Sequence, residues 1–224
     1  MIFIAIYNLY CNNTEKSLPC RGDFSLFLPL LFYLMTIAVF DDMQQCCESE
    51  VQRLLESVSC QRREEALRFK FLFGRFACLK SFEMLSGLLK REHRITDFQY
   101  ARTAKGKPYL LDCQNVFFNI SHCKKGIAVA VSDREVGIDI ETFHEPNVAL
   151  LKRVMNENEQ REISQSEAPM QCFSEIWTQK EAVLKLRGTG IVDDLTQVLN
   201  ADDVHVSTRV CREKGYVYSV ASFR

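Results

Sequence analysis

The stretch Val136-Gly137-Ile138-Asp139-Ile140-Glu141 decides how this chain is read. Its alternation is that of a strand, where residues two apart share a face. Ile138 and Ile140 then turn into a core, while Asp139 and Glu141 project together from the other side. Taken alone, the pattern also fits a solvated strand face. Further on, Trp177-Thr178-Gln179-Lys180-Glu181-Ala182-Val183-Leu184-Lys185 has the period of a helix. That helix runs from Ser174 to Arg187 and is ended by Gly188 and Gly190. Glu181 and Lys185 are four apart and share a face, as a simple surface ion pair also would. The apolar stripe is Phe173, Ile176, Trp177, Val183 and Leu184. Glu181 and Lys185 border it, and Lys180 lies within it. A lysine so placed must snorkel or meet an anion.

Strand and helix together supply Asp139, Glu141 and Glu181. Three carboxylates in one place repel each other unless a cation sits among them. Hard oxygen ligands without His or Cys suit Mg²⁺, which usually also holds substrate phosphates. The expected chemistry is therefore that of a phosphate-bearing substrate. No nucleotide-binding loop accompanies it, because Gly74, Gly106, Gly188 and Gly190 form neither a P-loop nor a G-x-G-x-x-G fingerprint.

Outward from this centre, Val116–Ile120, Gly126–Val131, Val204–Val210 and Tyr216–Phe223 read as strands. Glu48–Ser57, Asn147–Met155 and Glu157–Ser164 read as helices. One long helix is expected from about Gln61 to Lys90, with Ser59 as its N-cap. Gly106-Lys107-Pro108 is a turn. The halves repeat a plan of strand, helices and paired strands. The fold class is α+β: two similar lobes related by a pseudo-two-fold, 35–133 and 134–224, with the active site in the cleft between them. Asn119-Ile120-Ser121-His122 closes a strand. His122 is either a capping or core-edge histidine, or it holds a phosphate with Ser121.

The chain has 224 residues, 47% hydrophobic and 25% charged, the balance of a soluble globular protein. A net charge of -1 argues against a general nucleic-acid binder. The 10 cysteines never stand at C-x-x-C spacing and read as small hydrophobes in a reducing, cytoplasmic setting. Residues 1–34 are expected to be an extension outside the fold, with Met35 as an alternative start. The apolar run Phe24–Phe40 could otherwise be a membrane anchor or part of the fold; it is short for a span, which needs ~20 residues.

Four segments, in order, resemble the 4'-phosphopantetheinyl transferases of the larger two-lobed type, which activate peptide and polyketide synthases. They are Gly106-Lys107-Pro108, Phe118-Asn119-Ile120-Ser121-His122, Gly137-Ile138-Asp139-Ile140-Glu141, and Trp177 to Gly190 with its W-x-x-K-E-x-x-x-K core. The resemblance implies transfer of the phosphopantetheine arm of coenzyme A to a serine of an apo carrier protein, with release of 3',5'-ADP. It implies that Asp139, Glu141 and Glu181 hold Mg²⁺, that Lys185 stabilises the phosphate under attack, and that Glu159 helps deprotonate the serine. Lys107, Ser121 and His122 would bind the nucleotide end of coenzyme A, and Arg62 and Arg75 would reach its phosphates. The chain departs from the pattern at Glu65, where a basic residue is usual. The implied partners are coenzyme A and a carrier protein, with no nucleic acid and no membrane, and the implied state is a monomer. A non-catalytic relative that binds coenzyme A or carrier proteins, and a membrane-anchored interaction protein, remain as alternatives.

Overall fold

The computed structural model describes residues 4–7, 34–190 and 194–224. Along the chain run β1 (Ile4–Tyr7), β2 (Met35–Phe40), α1 (Glu48–Ser57), α2 (Cys60–Leu67), α3 (Leu72–His93), β3 (Tyr100–Arg102), β4 (Pro108–Leu110), β5 (Phe117–Cys123), β6 (Gly126–Ser132) and β7 (Val136–Thr142). Then follow α4 (Val148–Val154), α5 (Glu157–Gln165), α6 (Pro169–Arg187), β8 (Val204–Cys211) and β9 (Tyr216–Phe223). The fold is α+β. One sheet has the order β1-β2-β6-β5, a hairpin pairs β3 with β4, and a further sheet has the order β7-β9-β8.

Strand parity builds the layers. In β2, Ala38 and Phe40 face one way, into a core shared with Phe76, Leu79 and Leu85 of α3. Met35, Ile37 and Val39 face the other way, where Ile138 and Ile140 of β7 and Val220 of β9 meet them. β2 and β6 are thus apolar on both faces, as strands buried on both sides must be. The order through the molecule is helices α1–α3, the β1-β2-β6-β5 sheet, the β7-β9-β8 sheet, and α6. We call the two sheet-and-helix units lobes.

Two features differ from the sequence expectation. The long helix expected from Gln61 is two helices, broken between Leu67 and Leu72. The break is built by side chains: Phe69 folds back over Gly74, where an added Cβ would lie 2.8 Å from its ring. Arg75 Nε then donates to the Phe69 carbonyl. Ser59 is the N-cap expected, accepting from the Arg62 N–H. The second difference is Ile4–Tyr7, which pairs in parallel with β2 and so gives the segment read as an extension an edge strand in the sheet. Residues 1–3 and 8–33 of that segment lie outside the described residues, with most of the apolar run from Phe24. Among the described residues no helix is long and apolar enough to cross a membrane.

Candidate active site

α6 lies directly on β7. A Cβ at Gly137 would fall 2.0 Å from the Ala182 carbonyl oxygen and 2.4 Å from the Leu186 nitrogen. Only a residue without a side chain lets helix and strand approach this closely. The approach brings Glu181 and Lys185 over the face of β7 that carries Asp139 and Glu141. The alternation expected for β7 holds, since Ile138 and Ile140 are buried in the core between the sheets.

β5, from the other lobe, completes the site. Asn119 Oδ1 accepts from the Ile138 N–H at 3.0 Å, which satisfies a backbone donor on the edge strand β7. Two residues on, Ser121 Oγ donates to Asp139 Oδ1 at 2.8 Å. Lys185 Nζ reaches both, at 2.6 Å from Asp139 Oδ1 and 2.9 Å from Ser121 Oγ. Asp139 is 3% exposed, and its second oxygen, Oδ2, is buried with no hydrogen-bond partner. Burial, and next the neighbouring Asp139 charge, push the carboxyl pKa values of Glu141 and Glu181 up. A buried oxygen without a donor beside two carboxyls with raised pKa values is an arrangement that a cation would relieve.

Lys185 and Glu181 also line a cavity of about 640 Å³ between the lobes. Its opposite wall carries Arg62, Arg68, Arg102 and Lys105, with Phe82, Tyr100 and Phe118 as apolar surface. The size and the mixture of cations and aromatic rings suit a large phosphorylated nucleotide.

The other residues singled out in the sequence are placed unevenly. His122 lines the cavity and meets Phe73 edge-on. Ser121 is bound to Asp139 and Lys185 instead of facing a ligand. Arg62 is 7% exposed and lines the cavity. Its guanidinium is held by Glu65 and the Tyr100 hydroxyl, at 2.8 and 2.6 Å. It lies over the Phe82 ring, and its Nε is buried without a partner. Glu65, the acidic departure from the family pattern, thus neutralises the arginine beside it. Arg75 does not line the cavity and closes the α2–α3 turn instead.

Glu159, expected as a catalytic base, is occupied elsewhere. Its Oε2 accepts from the Asn156 N–H in the capping box of α5 and from Lys180 Nζ at 2.7 Å. Lys180 is the lysine in the apolar stripe. It has no exposed surface, and its three donors go to Glu159 and to the carbonyls of Val154 and Leu195. Burial draws the ammonium pKa down, and the Glu159 charge opposes this. Glu159 is absent from the cavity wall. The W-x-x-K-E spacing located this lysine but not its partner, which stands on the preceding helix, α5. The Arg62–Glu65–Tyr100 cluster and the Asn119 contact also escaped the sequence reading. Asn119 at the start of a polar strand end was the available signal.

Among the described residues, no three His, Cys, Asp or Glu side chains stand close enough to enclose an ion. Mg²⁺ does not need such a cage, because it keeps waters and takes substrate phosphate oxygens alongside one or two carboxylates. The orphaned Oδ2 of Asp139, with Glu141 or Glu181 as a second carboxylate, fits such a partial shell.

Residues 135–221 match the family model of the 4'-phosphopantetheinyl transferase superfamily. It is similar to the 4'-phosphopantetheinyl transferase psf-1 of Bacillus pumilus, 29% identical over 63% of this chain and 63% of that protein. It is similar to the 4'-phosphopantetheinyl transferase Sfp of Bacillus subtilis (strain 168), 24% identical over 64% of this chain and 66% of that one. A putative 4'-phosphopantetheinyl transferase of Haemophilus influenzae is 31% identical over 65% of this chain and 57% of its own length. The chain thus spans under two-thirds of the length of these curated relatives.

Proposed function

We propose that the protein transfers the 4'-phosphopantetheine arm of coenzyme A to a serine of an apo carrier protein, with Mg²⁺, releasing 3',5'-ADP. The observation that carries this reading is the unpartnered Oδ2 of Asp139, buried behind Lys185, whose own side chain lines a cation-rich cavity. Asp139, Glu141 and Glu181 are the residues that would hold the ion, and a bound Mg²⁺ draws charge from the pyrophosphate. Lys185 has three N–H donors, of which Asp139 and Ser121 take two. The third is left for the phosphate that the serine attacks. In that step the serine Oγ gives its proton to water and bonds to the phosphorus bearing the pantetheine arm, the bridging P–O bond breaks, and the electron pair leaves with 3',5'-ADP. Charge growing on the phosphates is what a fixed ammonium stabilises best. Arg68, Arg102, Lys105 and His122 are the groups on the cavity wall for the nucleotide end. Glu159 has a fixing role through Oε2, which accepts from Lys180 and the α5 cap. The free thiols of the described cysteines agree with a cytoplasmic setting, and we take the protein to act as a monomer.

The test is mass spectrometry of an apo carrier protein incubated with coenzyme A, Mg²⁺ and the protein. Gain of the phosphopantetheine mass is expected. It should disappear in Asp139→Ala and Glu181→Ala while both variants stay folded by circular dichroism. Binding of coenzyme A with no mass gain on carriers of fatty-acid, peptide or polyketide synthesis would leave only a binding protein.

A further inference from the structure

Lys107 stands in the turn of the β3–β4 hairpin, where its N–H donates to Thr103 Oγ1 and its carbonyl accepts from the Thr103 N–H. It lines the same cavity as Arg68, Arg102 and Lys105, but its ammonium is engaged at the cavity's edge. It crosses to the other lobe and donates to the Leu186 carbonyl at 2.7 Å, while pairing with Glu135. Only 13% of it is exposed. Leu186 is in the last turn of α6, where carbonyls have no partner within the helix. A cation there also meets the negative end of the helix dipole. Gly188 belongs to the same device. It ends α6 at φ +62, and a Cβ on it would lie 3.0 Å from Lys107 Cδ. The lysine stem lies in the space that a side chain at 188 would fill.

We infer that Lys107 is a positioning residue. It caps α6 from the opposite lobe and holds the final turns of that helix, with Glu181 and Lys185, in register with Asp139. Its ammonium is not a ligand of the nucleotide phosphates. Glu135 fixes it in this role, because the pair must break before the ammonium can turn into the cavity. The consequence for turnover rests on the reaction proposed above; the cap itself rests on the Leu186, Glu135 and Gly188 geometry alone.

The test uses the full chain and the variants Lys107→Met, Lys107→Arg, Glu135→Gln and the Lys107→Met/Glu135→Gln double. Two quantities are read: kcat and KM for coenzyme A, and amide hydrogen exchange at Leu184–Gly188. Lys107→Met should lower kcat by about ten- to a hundredfold, the scale of a misplaced catalytic group. KM should move less than about twofold, since uniform binding is not lost. Glu135→Gln should act in the same direction, more weakly. The double variant should be no worse than Lys107→Met, since the residues act as one unit. Exchange at Leu184–Gly188 should quicken in both single variants, and Lys107→Arg should restore part of kcat. A rise in KM with kcat intact in Lys107→Met, joined by an unchanged or lower KM in Glu135→Gln, would overturn the inference. If the wild-type protein transfers nothing, the proposed reaction fails by itself. Exchange at Leu184–Gly188 then decides the cap: faster exchange in both variants supports it, and unchanged exchange overturns it.

Discussion

Two lysine–carboxylate pairs lie on one helix, five residues apart in sequence, and they are built to opposite ends. Lys180 has no exposed surface, and every one of its donors has an acceptor. It ties α6 to the carbonyls of Val154 and Leu195 and to the head of α5. Lys185 is partly exposed at 29%, and the carboxylate it holds keeps one oxygen with no partner. A closed network fixes structure, whereas an open one leaves an oxygen able to take a further partner. The difference between the pairs is therefore satisfaction of hydrogen bonds, not charge or spacing.

The sharpest way to break this comparison is Lys180→Met. It leaves Glu159 buried without its ammonium and two carbonyls without a donor. The expected loss is about 3–5 kcal/mol in urea unfolding, as for one partner removed from a buried pair. Retained stability would show the pair to be dispensable. The counterpart is Lys185→Ala. Single-turnover transfer should slow by about 10²–10³, the size of one lost charge-stabilising donor. Its unfolding midpoint should stay close to wild type, because that lysine serves no closed network. Gly137→Ala sharpens the contrast within one helix. It overpacks α6 against β7 at Ala182 and Leu186, a change that costs about 1–3 kcal/mol in a close-packed site. Its harm should fall on the Lys185 end. Amide exchange near Lys180 that rises as much as exchange near Lys185 would contradict this.

The smallest effect concerns pH in the metal-free protein. Burial, with Asp139 next, raises the carboxyl pKa values of Glu141 and Glu181. Between the ordinary carboxylate value and the raised one, the folded state binds more protons than the unfolded state. Stability from these groups is full below the ordinary value and declines as pH rises through the raised one. The thermal midpoint of wild type relative to Glu181→Gln should therefore improve as pH falls from 7.5 to about 5, the upper edge of the ordinary carboxylate range. A difference that is flat with pH would show Glu181 to be unstrained.

Much of this was legible in the chain. β7 declared itself through parity, because Ile138 and Ile140 had to be buried, and that fixed where Asp139 and Glu141 point. Lys180 declared itself by lying in an apolar stripe, where it had to snorkel or find an anion. The anion itself could not be read, since Glu159 reaches it only after α4, α5 and α6 have packed. The break at Arg68–Phe71 was hidden for a related reason. Phe71 and Leu72 keep helical spacing, and only the fold of Phe69 onto Gly74 shows that the helix stops. The nucleotide role of Lys107 came only from the resemblance of Gly106-Lys107-Pro108 to the family, the residues themselves reading as a turn. The Leu186 carbonyl to which it donates carries no side-chain signal at all.

The position of β9 in the β7-β9-β8 sheet has a consequence for synthesis. Tyr216–Phe223 is the last element along the chain, yet it is the central strand of its sheet, hydrogen-bonded to β7 on one side and β8 on the other. Until those residues leave the ribosome, β7 has no neighbour on that side and α6 has only part of its floor. The carrier of Asp139 and Glu141 is then a nascent strand awaiting a partner translated after it. Chains stalled or clipped before Tyr216 would hold every proposed metal ligand and Lys185, and would still be unable to assemble them. Such fragments should be cleared by proteolysis, since their long-range pairing cannot close.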